Sequence, residues 1–528
     1  MFRTSVPATA DFFFDRDKEI ARLEGDVAKL RKGAPSWVAI LGARKVGKTS
    51  LVLELARRMA GPKLAFVVLD VFESLPVSFE IFRRFGLRVV DTTLGQEVGA
   101  SIEALADNPA DLRAALQQSA RFTALPPGLR ATILDLPDHA MEGDFFRRCL
   151  DLPEQLATAL GLHVVVAWDE FQELSTLPRG KAIPDPLPLM RTAWQKHQRV
   201  GYVISGSARS MLLELVTSKR SPFFQHFAIM DLEPFPAQDG IAMLTACAPA
   251  DRPIPKALAA RAVDSVGGHP FYLQLLGEAL TLRDPPYDEA CLKDALQNIL
   301  FSRTGRLALY FENEYARVVG RSTFLATALS ALAKGPRRLS EIATEIGTGS
   351  GSTVRYLERL GDAVVRLPDA RYGLADPTFG LWLAWRQPGG TVVPMKLVGD
   401  EAEIRTAAHL ARLGFDLVYQ SRASRGAFDL LATRGAIQLG VQVKRSPLPV
   451  RFDRAEWARM RAEAERFGWR WAVAVLTPPP EERLLILDPE RARRTRAGFA
   501  LDAAAEVENV LAWLDQSAPG KTRRRRRA

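Results

Sequence analysis

The sequence predicts an α/β fold whose first half is a parallel sheet covered by helices, and three observations carry that prediction. Residues 1 to about 235 alternate short β-branched runs with longer stretches of helical period. A glycine-rich loop of the form GxxxxGK[ST] lies between the first of those runs and a helical stretch. A later apolar run, VVVAWDE, ends in two acids. At 528 residues the chain exceeds what one hydrophobic core supports, so several domains are expected. Apolar residues at 47% and charged residues at 25% exclude a mainly disordered, collagenous or coiled-coil chain.

The expected strands of the sheet are WVAILG, LAFVVLDV, HVVVAWDE, GYVISGS and FAIMDLEPF. The segment from Phe72 to Gly161 is longer than a strand-to-strand crossover needs, and its sequence suggests no function. Residues 236–310 read as helices only, a helical lid, with apolar positions three or four apart in AQDGIAMLTACA and PKALAARAVDSV. From Ser322 to Asp376 three short helices precede two strands around a turn, the order of a winged helix-turn-helix. RQPGGTVVP, Arg386 to Pro394, is the clearest linker. The last domain has the order helix, three strands, helix, two strands. No repeat is visible, and low complexity is confined to the end of the chain. The expected divisions are therefore 1–235 for the sheet domain, 236–310 for the lid, 311–390 for the winged helix, 391–516 for the last domain and 517–528 for a basic disordered tail.

Gly42 to Thr49, GARKVGKT, is the phosphate-binding loop. Its glycines, Gly42 and Gly47 at the two fixed positions, let successive backbone N–H groups turn inward around a phosphate. Lys48 reaches the terminal phosphates as a point charge, and Thr49, followed by Ser50, offers a hydroxyl to magnesium. Asp169 is expected to hold that ion and Glu170 to orient or deprotonate the attacking water. Ser205 and Ser207 arrive at the carboxyl edge of the next strand, where open α/β sheets bind ligands, and one of them is placed to sense the terminal phosphate. Arg209 and Arg220 are candidates for an arginine finger, and a surface arginine explains each equally well. ATP and Mg2+ are the implied cofactors.

FFFDRDKEIARL, DEFQEL, GSARSMLLEL and GGHPFYLQLLG together resemble the archaeal-type ATPase family, P-loop NTPases of the AAA+/STAND kind. The resemblance spans roughly residues 11 to 385 and includes the closing YGLADPTFGLWL of the winged helix. It implies that Phe14 and Arg16 lie beside the adenine and that Gly268, His269 and Pro270 form a nucleotide-sensing turn. By the residues alone, His269 reads more simply as a helix-end histidine. The chain departs from the family at Gln225-His226, where glycine-arginine is usual, which removes the conventional arginine acting in trans.

In the last domain Asp429 is expected in the strand AFDLLA, with Gln442 thirteen residues later beginning Gln-Val-Lys, and with Glu403 on the preceding helix. Period two puts Gln442 and Lys444 on one face, so a hairpin gathers Asp429, Gln442 and Lys444 at one end. One magnesium with a lysine beside it would suit phosphodiester chemistry. SRASRGAFDLLA and LGVQVKRS resemble the PD-(D/E)xK nuclease superfamily, a restriction-endonuclease-like α/β fold, with the closest look to Holliday-junction resolvases and Mrr-type endonucleases. Gln442 stands where many members carry an acid, so an active metal-dependent nuclease and an inert binding module both remain open. Ser424 and Arg425 are candidates for phosphate contact, whereas Trp457, Trp469 and Trp471 read as core.

The net charge of +10 is concentrated at the end: residues from Lys396 onward hold +8, of which Lys521 and Arg523 to Arg527 supply +6. That tail either grips phosphate or only solubilises. On the winged helix, Thr353, Arg355 and Arg359, with Arg366 or Arg371 on the wing, are candidates for DNA contact, and packing of this domain on the lid is the alternative. Three well-separated cysteines (Cys149, Cys247, Cys291) and six scattered histidines offer neither a zinc site nor a disulfide framework. With no apolar leader and no long uncharged apolar run, the expectation is a cytoplasmic protein, nucleoid-associated if bound to DNA, with no membrane partner. Taken together these readings predict an ATP-hydrolysing DNA-associated protein whose nucleotide state gates the nuclease-like domain. The alternatives are an ATP/ADP-controlled switch or a DNA-bound scaffold forming a homo-oligomer.

Overall fold

The computed structural model describes residues 2–74, 78–138, 143–177, 185–302, 304–333, 335–386, 401–415, 417–420, 428–434 and 437–516. Ser424, Arg425, the linker beyond Arg386 and the basic tail lie outside them. The chain divides into two units, Met1–Pro253 with Gly267–Gln274, and Ile254–Val266 with Leu275–Ala528.

In the first unit, α1 (Asp17–Leu30) repeats Ile20, Leu23, Val27 and Leu30 at helical spacing, and all four are buried. β1 (Trp37–Leu41) runs into the glycine-rich loop and α2 (Lys48–Met59). After β2 (Leu64–Asp70) come six helices, α3 (Glu80–Val98), α4 (Ile102–Leu105), α5 (Pro109–Gln118), α6 (Ala120–Thr123), α7 (Pro127–Asp135) and α8 (Gly143–Leu160). Then follow β3 (His163–Asp169), α9 (Pro186–Trp194), β4 (Val200–Gly206), α10 (Arg209–Thr217), β5 (Ala228–Asp231) and α11 (Ala237–Cys247). All five expected strands form, pairing in parallel in the order β2-β3-β4-β1-β5. Their apolar runs are continuous because the sheet is covered on both faces. The carboxyl ends of β1, β3 and β4 therefore meet at one edge.

The long segment between β2 and β3 is a helical layer on one face of the sheet. Phe82, Phe85 and Phe146 are buried in one cluster with Trp168 of β3, the Phe85 and Trp168 ring centres lying 4.8 Å apart. On the same face Trp194 stacks on Tyr202 at 3.9 Å. The segment thus builds core rather than a simple crossover.

The second unit begins with α12 (Lys256–Val266), and α13 (Pro270–Thr281) runs from the first unit into it. It continues through α14 (Glu289–Leu300), α15 (Arg306–Val319), α16 (Thr323–Ala333), α17 (Leu339–Ile346) and α18 (Ser350–Leu360). The hairpin β6 (Val364–Arg366) and β7 (Tyr372–Leu374) is antiparallel with Val364 opposite Leu374, and α19 (Pro377–Arg386) closes the segment. The winged-helix order is as expected, but Thr353 is buried, its hydroxyl bonded to Gly349 O and Thr348 Oγ1 at 3.1 Å each. It is a packing residue inside the helical triad and is unavailable to DNA.

The last domain holds α20 (Glu401–Arg412), β8 (Leu417–Gln420), β9 (Leu430–Arg434), β10 (Ile437–Arg445), β11 (Val450–Asp453) and α21 (Arg454–Phe467). β12 (Arg470–Leu476), β13 (Leu484–Leu487), β14 (Arg493–Arg494), β15 (Gly498–Leu501) and α22 (Val510–Gln516) complete it. The main sheet runs β13-β12-β10-β9-β8, with β10 and β12 parallel and the other pairs antiparallel. A second sheet, β11-β15-β14, was not expected. Trp457 is buried against Trp471 and Phe499, with Trp469 and Trp471 partly buried in the same cluster, so these tryptophans are core. None of the three cysteines is in a disulfide. Among the described residues no helix is long and apolar enough to cross a membrane.

Candidate functional site

The loop after β1 is shaped by two glycines. Gly47 has φ +108°, a conformation side chains disfavour, and a Cβ on Gly42 would stand 2.7 Å from Leu232 O. α2 starts at Lys48, so the first backbone N–H groups of a twelve-residue helix open onto the loop. Lys48 is buried, and its Nζ donates to Gly42 O at 3.0 Å and Ala43 O at 2.9 Å. Burial lowers the lysine's pKa, while Glu170 and Asp169 nearby work against that shift.

Facing the loop, Asp169 closes β3. Its Oδ2 accepts a hydrogen bond from Thr49 Oγ1 at 2.5 Å and its Oδ1 one from Ser205 Oγ at 2.6 Å. Glu170 follows in the left-handed region at φ 52°, an uncommon conformation for a residue with a side chain. Its Oε2 accepts from Gln172 Nε2 at 2.7 Å, Ser207 Oγ at 2.9 Å and Ser207 N at 3.1 Å. The two serines at the end of β4 thus each hold one acid at the end of β3. Gln172 is the additional holder, and nothing in DEFQEL singled it out over its neighbours.

Gly47, Lys48, Thr49, Ser50, Asp169 and Glu170 line a cavity of about 310 Å3. The stretch Arg3 to Ala8, together with Arg44, Lys45, Asp70, Phe72, Pro270, Phe271 and Gln274, completes its wall. That amino-terminal strand of wall is tied down at three points: Arg3 N to Gln274 Oε1 (2.8 Å), Ala8 N to Ser50 Oγ (3.0 Å) and Ala10 N to Glu54 Oε2 (2.9 Å). RTSVPA has neither periodicity nor a motif, so no sequence signal pointed to it. Asp70 ends β2 directly beside Asp169 in register. Burial raises its carboxyl pKa to about 6, with Asp169, Glu170 and Glu73 adding to the effect against the Phe72 N–H. The strand-end acid of LAFVVLD was the signal for it.

Gly42, Phe14, Arg16, Ser205, Ser207 and His269 are not among the lining residues. Arg16, at φ 77°, is buried and donates to Glu233 O at 2.6 Å and Val46 O at 3.4 Å, so it ties the loop to the strand end after β5. Phe14 is half-buried. His269 Nε2 lies 3.1 Å from Arg44 O, and its ring stacks on Tyr272 at 4.0 Å. Burial pushes its pKa down to about 4, so the ring is neutral at pH 7. Arg209 pairs with Asp231 through two hydrogen bonds, at 2.6 Å and 3.0 Å, and Arg220 is exposed. Gln225 has a left-handed φ of 61°.

In the last domain Asp429 stands one residue ahead of β9 rather than within it, its N–H bonded to Val441 O at 3.1 Å. Its Oδ2 accepts from Gln442 Nε2 at 2.6 Å and Val443 N at 2.7 Å. Lys444 Nζ donates to Glu456 Oε1 at 2.7 Å, and Glu403 Oε2 accepts from Lys293 Nζ at 3.1 Å. Glu456 was missed because Asp453-x-x-Glu456 reads as a helix start, and Asp453 does cap α21.

The two sites differ in their fitness for magnesium. At the nucleotide loop one hydroxyl and one carboxylate converge, enough for an ion that otherwise binds phosphate and water. Around Asp429 the donors are one carboxylate and the Gln442 amide, whose Nε2 donates to that carboxylate. Among the described residues no three His, Cys, Asp or Glu side chains cluster to hold a metal.

No protein-family model matches the chain. No curated protein matches it. By structure it is similar to the Walker-type ATPase PABY2304 of Pyrococcus abyssi, at 18% identity and a TM-score of 0.52 over 72% of this chain and 98% of that one. It is also similar to the ORC2 protein of Aeropyrum pernix, at 14% identity and a TM-score of 0.47 over 72% and 95%. The Holliday junction resolvase Hjc of Archaeoglobus fulgidus matches at 20% identity and a TM-score of 0.18, over 19% of this chain and 88% of that one. The Pyrococcus structure carries the fold likeness: a five-stranded parallel sheet with helices, the P-loop ATPase fold.

Proposed function

We propose that the chain binds ATP with Mg2+ at the loop of Gly42–Thr49, hydrolyses it, and works in association with DNA. The observation that carries the reading is that Thr49, Asp169 and Glu170 line one cavity, with Asp169 bonded to Thr49 and Ser205 and Glu170 to Ser207. The fold shared with a protein named as a Walker-type ATPase supports it. Lys48 and the N–H groups opening α2 bind the phosphates. Thr49 and Asp169 hold the ion, Asp169 being fixed in place by Ser205. Mg2+, when bound, supplies charge neutralisation on the phosphate oxygens. Glu170, oriented by Ser207 and Gln172, accepts the proton of the attacking water. His269, neutral at pH 7, holds the loop through Arg44 O and positions α13 against it. Steady-state ATP turnover with and without Mg2+, compared with Lys48→Ala, tests this: equal turnover in both proteins refutes it.

For the last domain the observations favour an inert nuclease-like module inside an ATP/ADP-controlled switch or DNA-bound scaffold over a gated metal-dependent nuclease. Asp429 Oδ2 is engaged by Gln442 and Val443, Glu403 by Lys293, and Lys444 by Glu456. Incubation of duplex, single-stranded, flapped and four-way DNA with Mg2+ or Mn2+, with and without ATP, decides the matter. Cleavage that disappears in Lys444→Ala would reinstate the nuclease.

A further inference from the structure

We propose that the winged-helix segment carries a site for single-stranded DNA, made of the Phe324–Tyr356 ring pair and the arginine-lined cleft beside it. Phe324, at the start of α16, is 42% exposed and stacks face to face on Tyr356 of α18 with ring centres 5.0 Å apart and planes 14° from parallel. An exposed apolar ring is ordinary by itself. Here its chain neighbours Ser322 and Leu325, with Arg317, Arg321 and Arg359, bound a cleft of about 510 Å3. Phe324 lies between two of those lining residues in sequence. Tyr356 and Arg359 are three apart on α18, which puts them on one side of that helix.

The charges at the cleft are disposed for phosphate. Arg317 is paired with Glu314 at 2.7 Å, but Arg321 and Arg359 make no ion pair among the described residues. Guanidinium groups suit phosphate because they donate two parallel hydrogen bonds. An aromatic platform beside such groups suits a polymer that alternates flat faces with anions. Duplex DNA hides its base faces inside the stack, whereas a single strand presents them. The ring pair therefore selects single strands, while the arginines serve any phosphodiester.

This inference deepens the DNA association proposed above and is independent of the nucleotide site. The test is fluorescence anisotropy of labelled oligo-dT of about 16 nucleotides with the full-length chain. A duplex of the same length and a polyglutamate peptide are the comparison arms. Phe324→Leu keeps an apolar body against Tyr356 but removes the face, and is expected to weaken oligo-dT binding roughly tenfold while leaving the duplex unchanged. Tyr356→Phe keeps the face and is expected to bind as the parent does. Arg321→Gln with Arg359→Gln is expected to lower the slope of log affinity against log salt by roughly 0.7 per lost phosphate contact. Thermal unfolding by circular dichroism checks that each variant is folded.

Equal losses on oligo-dT and duplex in Phe324→Leu, or no loss on either, overturn the proposal. Polyglutamate binding that falls in parallel with oligo-dT also overturns it, in favour of an acidic peptide. Duplex binding without oligo-dT binding sinks this site and leaves the DNA association standing. Binding of neither DNA sinks both, whatever the ATP turnover.

Discussion

Thr49 Oγ1 lies 2.5 Å from Asp169 Oδ2 although 120 residues separate them in the chain. The contact joins the first turn of α2 to the end of β3, and it exists because β1 and β3 both flank β4 in the sheet. Asp169→Asn should leave the fold intact, since the amide oxygen can still accept from one of the Thr49 and Ser205 hydroxyls while its NH2 donates to the other. It should abolish the Mg2+ dependence of ATP turnover together with the turnover itself, measured by phosphate release across a Mg2+ titration.

Lys48→Ala removes a buried cation that reaches two loop carbonyls. ATP affinity should fall roughly ten- to a hundredfold, the worth of a charged hydrogen bond or two. Calorimetric titration with ATP reads this directly, and undiminished affinity would remove the assignment of the loop.

Glu170→Gln should retain ATP while turnover falls roughly 10²- to 10⁴-fold, the usual contribution of a positioned general base. Ser207→Ala should show a smaller loss in turnover with ATP affinity unchanged, because it loosens Glu170 without touching the phosphates. A Ser207→Ala defect confined to affinity would mean that the serine acts on the nucleotide instead.

Glu54 is fully buried yet hydrogen-bonded to Arg57, Arg58 and the Ala10 N–H. Hydrogen bonds from Arg57 above all hold its pKa at about 2, below the ordinary 4.5. A depressed carboxyl pKa stabilises the fold above the ordinary value, and that stability drains away as pH falls from 4.5 toward 2. Glu54→Gln should cost about 2–3 kcal/mol at neutral pH and flatten the acid limb of the stability curve. Urea unfolding at several pH values measures both.

Asp70 has the opposite sign. Its pKa is raised from 3.8 to about 6, so the folded chain prefers the protonated carboxyl. The associated stability is present below 3.8 and lost as pH rises through about 6. Asp70→Asn should therefore unfold at a higher temperature than the parent at pH 7 and at nearly the same temperature at pH 4. A lower midpoint at pH 7 would mean that the charged carboxylate is held by favourable contacts.

Period and punctuation made most of this architecture readable: the five sheet strands, the loop glycines and the winged-helix order all follow from local pattern. Partners were harder. Ser205 and Ser207 were legible as residues at the sheet edge, but their bonds to Asp169 and Glu170 depend on β4 lying beside β3, which strand patterns do not specify. Thr353 sits four residues before buried Leu357, so its burial was implied by helical spacing, and only its polarity suggested a surface role. β14 and β15 escaped notice because ERARRTRAGFAL mixes arginines with a single short apolar run. The amino-terminal wall of the cavity had no pattern to find, since it is held by hydrogen bonds from its backbone N–H groups.

The pairing of β2 with β3 carries a kinetic consequence. The two strands are hydrogen-bonded in register from Leu64 opposite His163 to Asp70 opposite Asp169, with the whole six-helix layer between them in the chain. Closing so long a loop before any ladder bond forms is entropically slow, although local helices can condense early. The parallel sheet must then wait for that layer to collapse onto Trp168. Substitutions at Phe82 or Phe85 should accordingly slow refolding as well as speed unfolding, which would identify the helical layer as part of the folding nucleus.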